Sequence, residues 1–184
     1  MHWNLPNTLT WTRIAAIPLI VLLFYMPYPW ADPAAGLLFA AAGVTDSLDG
    51  YFARRLGQIS RLGAFLDPVA DKLIVAVALV LLVSRDSHTL IVLTAAIIIG
   101  REITISALRE WMAEIGARAK VAVSQLGKYK TILQIVGLSM MLYRVPLLEL
   151  RTYRIGVVLT EIAALATLAS MVVYLRAAWP ELKR

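Results

Sequence analysis

A chain of 184 residues that is 60% hydrophobic, with mean hydropathy +0.73, lies well above the roughly 45–50% apolar content of ordinary soluble domains. It is predicted to be an all-α integral membrane protein. The net charge of +6 and pI near 9.8 fit basic loops resting against anionic lipid, and no nucleic-acid partner is expected. The absence of cysteine excludes disulfides and thiolate metal ligands.

The chain opens with MHWNLPNTLTWTR, where Trp3 and Trp11 suit a membrane interface and Pro6 interrupts or starts a short helix, so an N-terminal interfacial helix is expected. Apolar runs, measured against the roughly 20 residues needed to span a bilayer, give six transmembrane helices. Their predicted limits are Leu9 to Tyr28, Ala34 to Arg54, Leu62 to Ser84, Thr89 to Met112, Ser124 to Tyr143 and Tyr153 to Ala177. Ile14 to Met26 has the apolar character of a secretory h-region, but no convincing cleavage site follows. Pro27, Pro29 and Pro33 instead mark a turn between two spans. No internal repeat or domain boundary interrupts residues 1–184, which read as a single membrane domain. Small residues at Gly137, Ser139, Gly156, Ala163 and Ala166 are suited to close helix contacts.

Lysines and arginines in short loops set the orientation. One side collects Arg13, Arg54, Arg55, Arg61, Arg118, Lys120, Lys128, Lys130, Lys183 and Arg184. The other holds Arg85, Arg144, Arg151 and Arg154, so both termini are expected in the cytoplasm. His2 and His88 lack metal-ligand spacing and are expected at the interfaces.

Where the second and third helices approach each other the chain reads VTDSLDGYFARRLGQISRLGAFLDPVADKL. Asp46, Asp49, Gly50 and Ala53 fall at i, i+3, i+4 and i+7, and Gly63, Asp67 and Asp71 at i, i+4 and i+8. Each helix would carry two carboxylates on one face with small residues beside them. Two unit charges about 4 Å apart repel by roughly 4 kcal/mol at an effective dielectric of about 20, so four acids at membrane depth need protons or a cation. An all-oxygen set favours Mg²⁺, Mn²⁺ or Ca²⁺ over zinc. The competing explanation is structural ion pairing of Asp46 or Asp49 with Arg54 and of Asp71 with Lys72, but it uses two bases for four acids, and the attraction within a desolvated pair often does not repay the loss of water.

As a pattern the stretch is D-x2-D-G-x2-A-R-x8-G-x3-D-x3-D, from Asp46 to Asp71, and it resembles the signature of the CDP-alcohol phosphotransferase family without departure. Asn7, Thr10 and Arg13, spaced N-x2-T-x2-R, resemble the family's amino-terminal segment, although Asn or Thr here would also serve as a helix cap. The resemblance implies a six-helix homodimer in the bacterial inner membrane that uses Mg²⁺ or Mn²⁺. It implies Asp46, Asp49 and Asp67 as metal ligands, with Asp71 contributing and acting as the base. Asn7, Thr10, Arg13, Asp49, Gly50, Ala53, Arg54 and Gly63 would then form the site for CDP-diacylglycerol.

Further along, Arg101 and Arg109 stand two turns apart on the fourth helix and Lys128 and Lys130 open the fifth. Guanidinium and ammonium groups at this depth should face an anion, which suggests an acceptor alcohol that itself carries a phosphate. Arg109 and Lys128 are the stronger candidates on this anion-matching argument; in the alternative, Arg101 pairs with Glu102 or Glu161 and the lysines bind anionic headgroups. Arg109 has Glu102, Glu110 and Glu114 as alternative partners. Lys128 and Lys130 fall on opposite helix faces, so one ligand is not expected to meet both. Over nearly the whole chain, including REITISALREWMAEIG and GKYKT, the resemblance implies phosphatidyl transfer from CDP-diacylglycerol to sn-glycerol 3-phosphate with release of CMP. Its rivals are a cardiolipin synthase that uses phosphatidylglycerol and, in another class, a divalent-cation transporter.

Overall fold

The computed structural model describes residues 5–56, 61–117, 125–147 and 150–183. Side chains are described at all of these except 5–7, 9, 46–56, 61, 62, 64, 125–128 and 182. Six helices account for almost all of it: α1 Leu5–Tyr25, α2 Ala31–Leu56, α3 Arg61–Arg85, α4 Thr89–Glu114, α5 Gln125–Tyr143 and α6 Thr152–Leu182. The only pairing of extended backbone among the described residues is the bridge between Leu147 and Leu150. Two helices, α4 over Thr89–Glu114 and α6 over Thr152–Glu181, are long and apolar enough to cross a membrane.

The observed helices match the apolar runs to within a few residues, with one correction at the amino terminus. Residues 5–13, expected as a separate interfacial helix, instead form the first half of α1 and continue without a break to Tyr25. The reason is tertiary: Thr10 and Arg13 are buried, and the Thr10 hydroxyl donates to Asp67 on α3. A polar turn is retained in the helix because its polar face has a partner.

α1 packs on α2 and α3, α2 on α5, α5 on α6, and α4 on α6 and α3. Ile20 and Phe24 of α1, Phe39 of α2, Leu79 and Leu82 of α3, Ile98 of α4 and Leu138 and Leu142 of α5 share the main core. A smaller cluster joins Ile105 and Met112 of α4 to Tyr174 and Ala178 of α6. At the ends of α1 to α3, Arg85 donates to Asp32 at 2.6 Å and to the Phe24 carbonyl, with its guanidinium 3.7 Å above the Phe24 ring. The Tyr153 hydroxyl donates to Asp86 at 2.6 Å and is the main reason that this loop carboxyl sits below its ordinary pKa. Gly116 ends α4 with φ +73°, a left-handed turn open to glycine, while Ala117 N–H donates to the Met112 carbonyl at 2.8 Å.

The α5 and α6 backbones touch at Gly137 and Gly156. A Cβ on Gly137 would lie 2.9 Å from the Gly156 carbonyl, and one on Gly156 would lie 2.6 Å from the Gly137 carbonyl. Backbone cannot retreat as a flexible side chain can, so these glycines set the α5–α6 spacing. Gly137→Ala should destabilise the detergent-solubilised protein by about 1–3 kcal/mol, read as an earlier thermal transition. Gly100→Ala, where nothing lies within 4 Å of the new Cβ inside α4, should not lower the transition and should raise it slightly, since alanine favours helix over glycine by about 0.5–1 kcal/mol.

Candidate active site

Two features of the sequence, the acidic motif and the later basic residues, meet on α3. Asp67 and Asp71 lie one turn apart there, both half-buried, and Gly63 is buried one turn before them. Pro68 sits inside the helix beside Asp67 and removes one backbone donor from it. On α1, Thr10 reaches Asp67 through its hydroxyl, and Arg13 is buried three residues further along the same side of that helix. Asp46, Asp49, Gly50, Ala53 and Arg54 fall on the last three turns of α2, which ends just before the short connection to α3. Their side chains, with those of Asn7 and Lys128, lie outside the described residues.

Among the described residues no three acidic or histidine side chains come together, the side chains of Asp46 and Asp49 lying outside them, but the chemistry of the four motif aspartates is that of donors to a divalent cation. Every candidate ligand is a carboxylate, the pairs on α2 and α3 repeat at helical spacing, and His88 lies beyond the opposite end of α3. Hard oxygen donors at such positions match a hard cation.

From Asp71 a cavity of about 450 Å³ extends away between α3, α4, α5 and α6. That volume is in the range of small-molecule sites. Asp71 and Lys72 line it from α3, Arg101, Glu102, Ser106, Arg109 and Glu110 from α4, Lys130 and Gln134 from α5, and Tyr174 from α6. Polar and charged residues of four otherwise largely apolar helices thus gather at one place.

The four cations of the chamber are not equivalent. Arg101 Nη1 and Lys130 Nζ both donate to Glu102 Oε1 at 2.8 Å, and Arg101 Nη2 donates to Ser170 at 3.1 Å. Glu102 is therefore shared by Arg101 and Lys130 and offsets one of their two positive charges. Arg109 is treated differently, since its Nη2 donates to the uncharged Tyr174 hydroxyl at 3.0 Å. The Nε atoms of both Arg101 and Arg109 are buried with no acceptor among the described residues. Buried donors on charged groups are costly to leave unmade, and the guanidinium groups that carry them belong to residues lining the chamber, where an anion would be drawn to their charge.

Arg101, Arg109 and Lys130 are thus brought together, and with them Asp71. Of the two lysines that open α5, Lys130 is the one seen lining the chamber. Glu102 takes the role of counter-ion that the sequence offered as an alternative for Arg101, and it extends that role to Lys130. Tyr174 was not anticipated. It lies in an apolar run about 65 residues beyond Arg109, and the one available signal was that a buried tyrosine hydroxyl needs a partner.

The family model described as CDP-alcohol phosphatidyltransferase matches residues 3–176. Among curated relatives, the CDP-diacylglycerol–glycerol-3-phosphate 3-phosphatidyltransferase of Escherichia coli (strain K12) is 49% identical over 182 residues, covering 99% of this chain and 98% of its own length. The protein of the same description from Shigella flexneri serotype 5b (strain 8401) matches to the same extent. With acidic helices, basic chamber and full-length similarity in agreement, the chain belongs to the CDP-alcohol phosphatidyltransferase family.

Proposed function

We propose that this protein transfers a phosphatidyl group from CDP-diacylglycerol to sn-glycerol 3-phosphate, forming phosphatidylglycerophosphate and CMP. The observation that carries the acceptor is the set of cationic side chains, Arg101, Arg109 and Lys130, lining the chamber that Asp71 also lines. An acceptor bearing a phosphate would place that group against Arg109 and Arg101, leaving its free hydroxyl end for Asp71. The name shared by the relatives at 49% identity supports the same pair of substrates.

The chemistry assigned to each residue follows from charge and position. Asp71 accepts the proton of the acceptor hydroxyl, whose oxygen then bonds to the phosphorus that carries diacylglycerol. The bond from that phosphorus to the CMP oxygen breaks, so the reaction is a single displacement. Asp46, Asp49, Asp67 and Asp71 would hold a divalent cation, Mg²⁺ or Mn²⁺, which supplies stabilisation of negative charge on the pyrophosphate. Thr10 orients Asp67 through their hydrogen bond, which fixes one carboxylate before donor arrives. Gly50, Ala53 and Gly63 leave room for the nucleotide against the helix backbones, and Asn7, Arg13 and Arg54 complete the donor side.

The remaining features belong to the same reading. Six membrane crossings, cytoplasmic termini and an active site open to the cytoplasm are supported by the distribution of Lys and Arg between the loops, and a homodimer in the bacterial inner membrane by the resemblance to the family.

Purified protein given CDP-diacylglycerol and Mg²⁺ should convert labelled glycerol 3-phosphate and use glycerol or phosphatidylglycerol poorly. Preference for phosphatidylglycerol would replace this acceptor with a lipid one. Chelation should abolish turnover, and Asp67→Asn should do the same while the protein still inserts; a rate that survives either treatment contradicts the metal site.

Asp71→Asn should lower kcat far more than it weakens CDP-diacylglycerol binding, because a base acts in the transition state. Loss confined to donor affinity would make Asp71 a ligand only. Arg109→Ala removes a charge-assisted contact of about 1.5–3 kcal/mol and should raise the KM for glycerol 3-phosphate by roughly one to two orders of magnitude. An equal rise for both substrates would remove the phosphate from this chamber.

A further inference from the structure

Arg101 and Arg109 are eight residues apart on α4, about 12 Å along the helix axis, yet one aromatic ring engages both. The Tyr174 ring centroid lies 5.7 Å from the Arg101 guanidinium carbon and 5.1 Å from that of Arg109. Both distances are within the range at which a cation is drawn to a ring face. The ring itself is fixed, because Tyr174 is 4% exposed and packs with Ile105, Met112 and Ala178 where α4 meets α6.

The hydroxyl adds a second restraint, accepting from Arg109 Nη2 at 3.0 Å. A carboxylate in its place would hold Arg109 equally well but would also offset its charge, as the single negative charge of Glu102 does in part for Arg101 and Lys130. A phenol fixes the fork and leaves its charge available. That combination suits a cation meant for an incoming anion, since ordering a long arginine side chain in advance removes part of the entropy cost of binding.

We infer that Tyr174 is a positioning residue for the acceptor: its ring gathers Arg101 and Arg109, and its hydroxyl aims Arg109 at the phosphate of the acceptor alcohol. This rests on the acceptor assignment made above, and Tyr174 acts through Arg109, not by touching the reacting atoms.

Tyr174→Phe keeps the packed ring and deletes only the acceptor for Arg109. The KM for glycerol 3-phosphate should rise about three- to tenfold, with kcat and the KM for CDP-diacylglycerol within about twofold of the parent. Inhibition by inorganic phosphate, competing with glycerol 3-phosphate, should weaken by a similar factor. In an Arg109→Ala background the same substitution should have no further effect on either quantity. Tyr174→Leu removes the ring as well and should be worse than Tyr174→Phe; the isosteric variant decides the matter if the leucine form does not fold.

The inference is overturned if Tyr174→Phe leaves the acceptor KM unchanged while Arg109→Ala raises it selectively, a result under which the acceptor chamber itself stands. It is equally overturned if the phenylalanine effect persists undiminished without Arg109, or raises the KM of both substrates alike. Should Arg109→Ala have no acceptor-selective effect, the chamber assignment fails and Tyr174 loses its role with it.

Discussion

Charge carried inside an apolar bundle is the constraint on which the rest of this protein depends. An ionised side chain removed from water must find a counter-charge, a hydrogen-bond partner or a ligand, because the cost of leaving it bare exceeds what one helix contact returns. Three solutions are visible around α3 and α4. Asp67 is met by a hydroxyl from α1, Glu102 gathers Arg101 and Lys130, and Arg109 is steadied by a phenol. Only the last two kinds of arrangement differ in what they leave behind. Glu102 offsets one of the two charges it meets, whereas Tyr174 leaves that of Arg109 intact, and Arg109 lines the same chamber as Asp71.

The helices can be understood as the means of bringing those solutions together. Close backbone contact at Gly137 and Gly156 locks α5 to α6, and α4 leans on α6 through Ile105, Met112, Tyr174 and Ala178. With α5 and α4 both referred to α6, Lys130 and Arg109 are held at one level facing α3. The α3 part of the acidic side is organised separately, by the packing of α1 on α3 and the Thr10–Asp67 hydrogen bond. Asp71 belongs to both halves. It continues the aspartate series of α3 and forms part of the wall of the basic chamber, which is the arrangement a base between donor and acceptor requires.

Much of this was legible in the residues. Apolar runs located all six helices because each needs a long uninterrupted stretch, and the aspartate spacing placed pairs of acids on single faces for the same reason that helices have 3.6 residues per turn. Pattern was less informative where the deciding partner is distant in sequence. Residues 5–13 look interfacial in isolation, and their place in α1 depends on Asp67, 57 positions beyond Thr10. Lys128 and Lys130 are indistinguishable by composition, and the rotation of α5 against α4 is what turns Lys130 toward Glu102 at 2.8 Å. Tyr174 had no local signature at all, since a tyrosine in an apolar helix gains meaning here only from two arginines on another element.

The central claim, that the carboxylate series and the basic chamber form one site joined at Asp71, is tested most directly by phosphorus NMR with Mn²⁺ as the bound cation. Glycerol 3-phosphate held in the chamber of the wild-type protein should show paramagnetic broadening beyond that caused by Mn²⁺ free in the same detergent. Asp67→Asn should remove the broadening by emptying the metal position, and Arg109→Ala should remove it by releasing the phosphate. Broadening no greater than that of free Mn²⁺, with metal and acceptor both shown to be bound, would mean that the two halves are separate sites and would contradict this account.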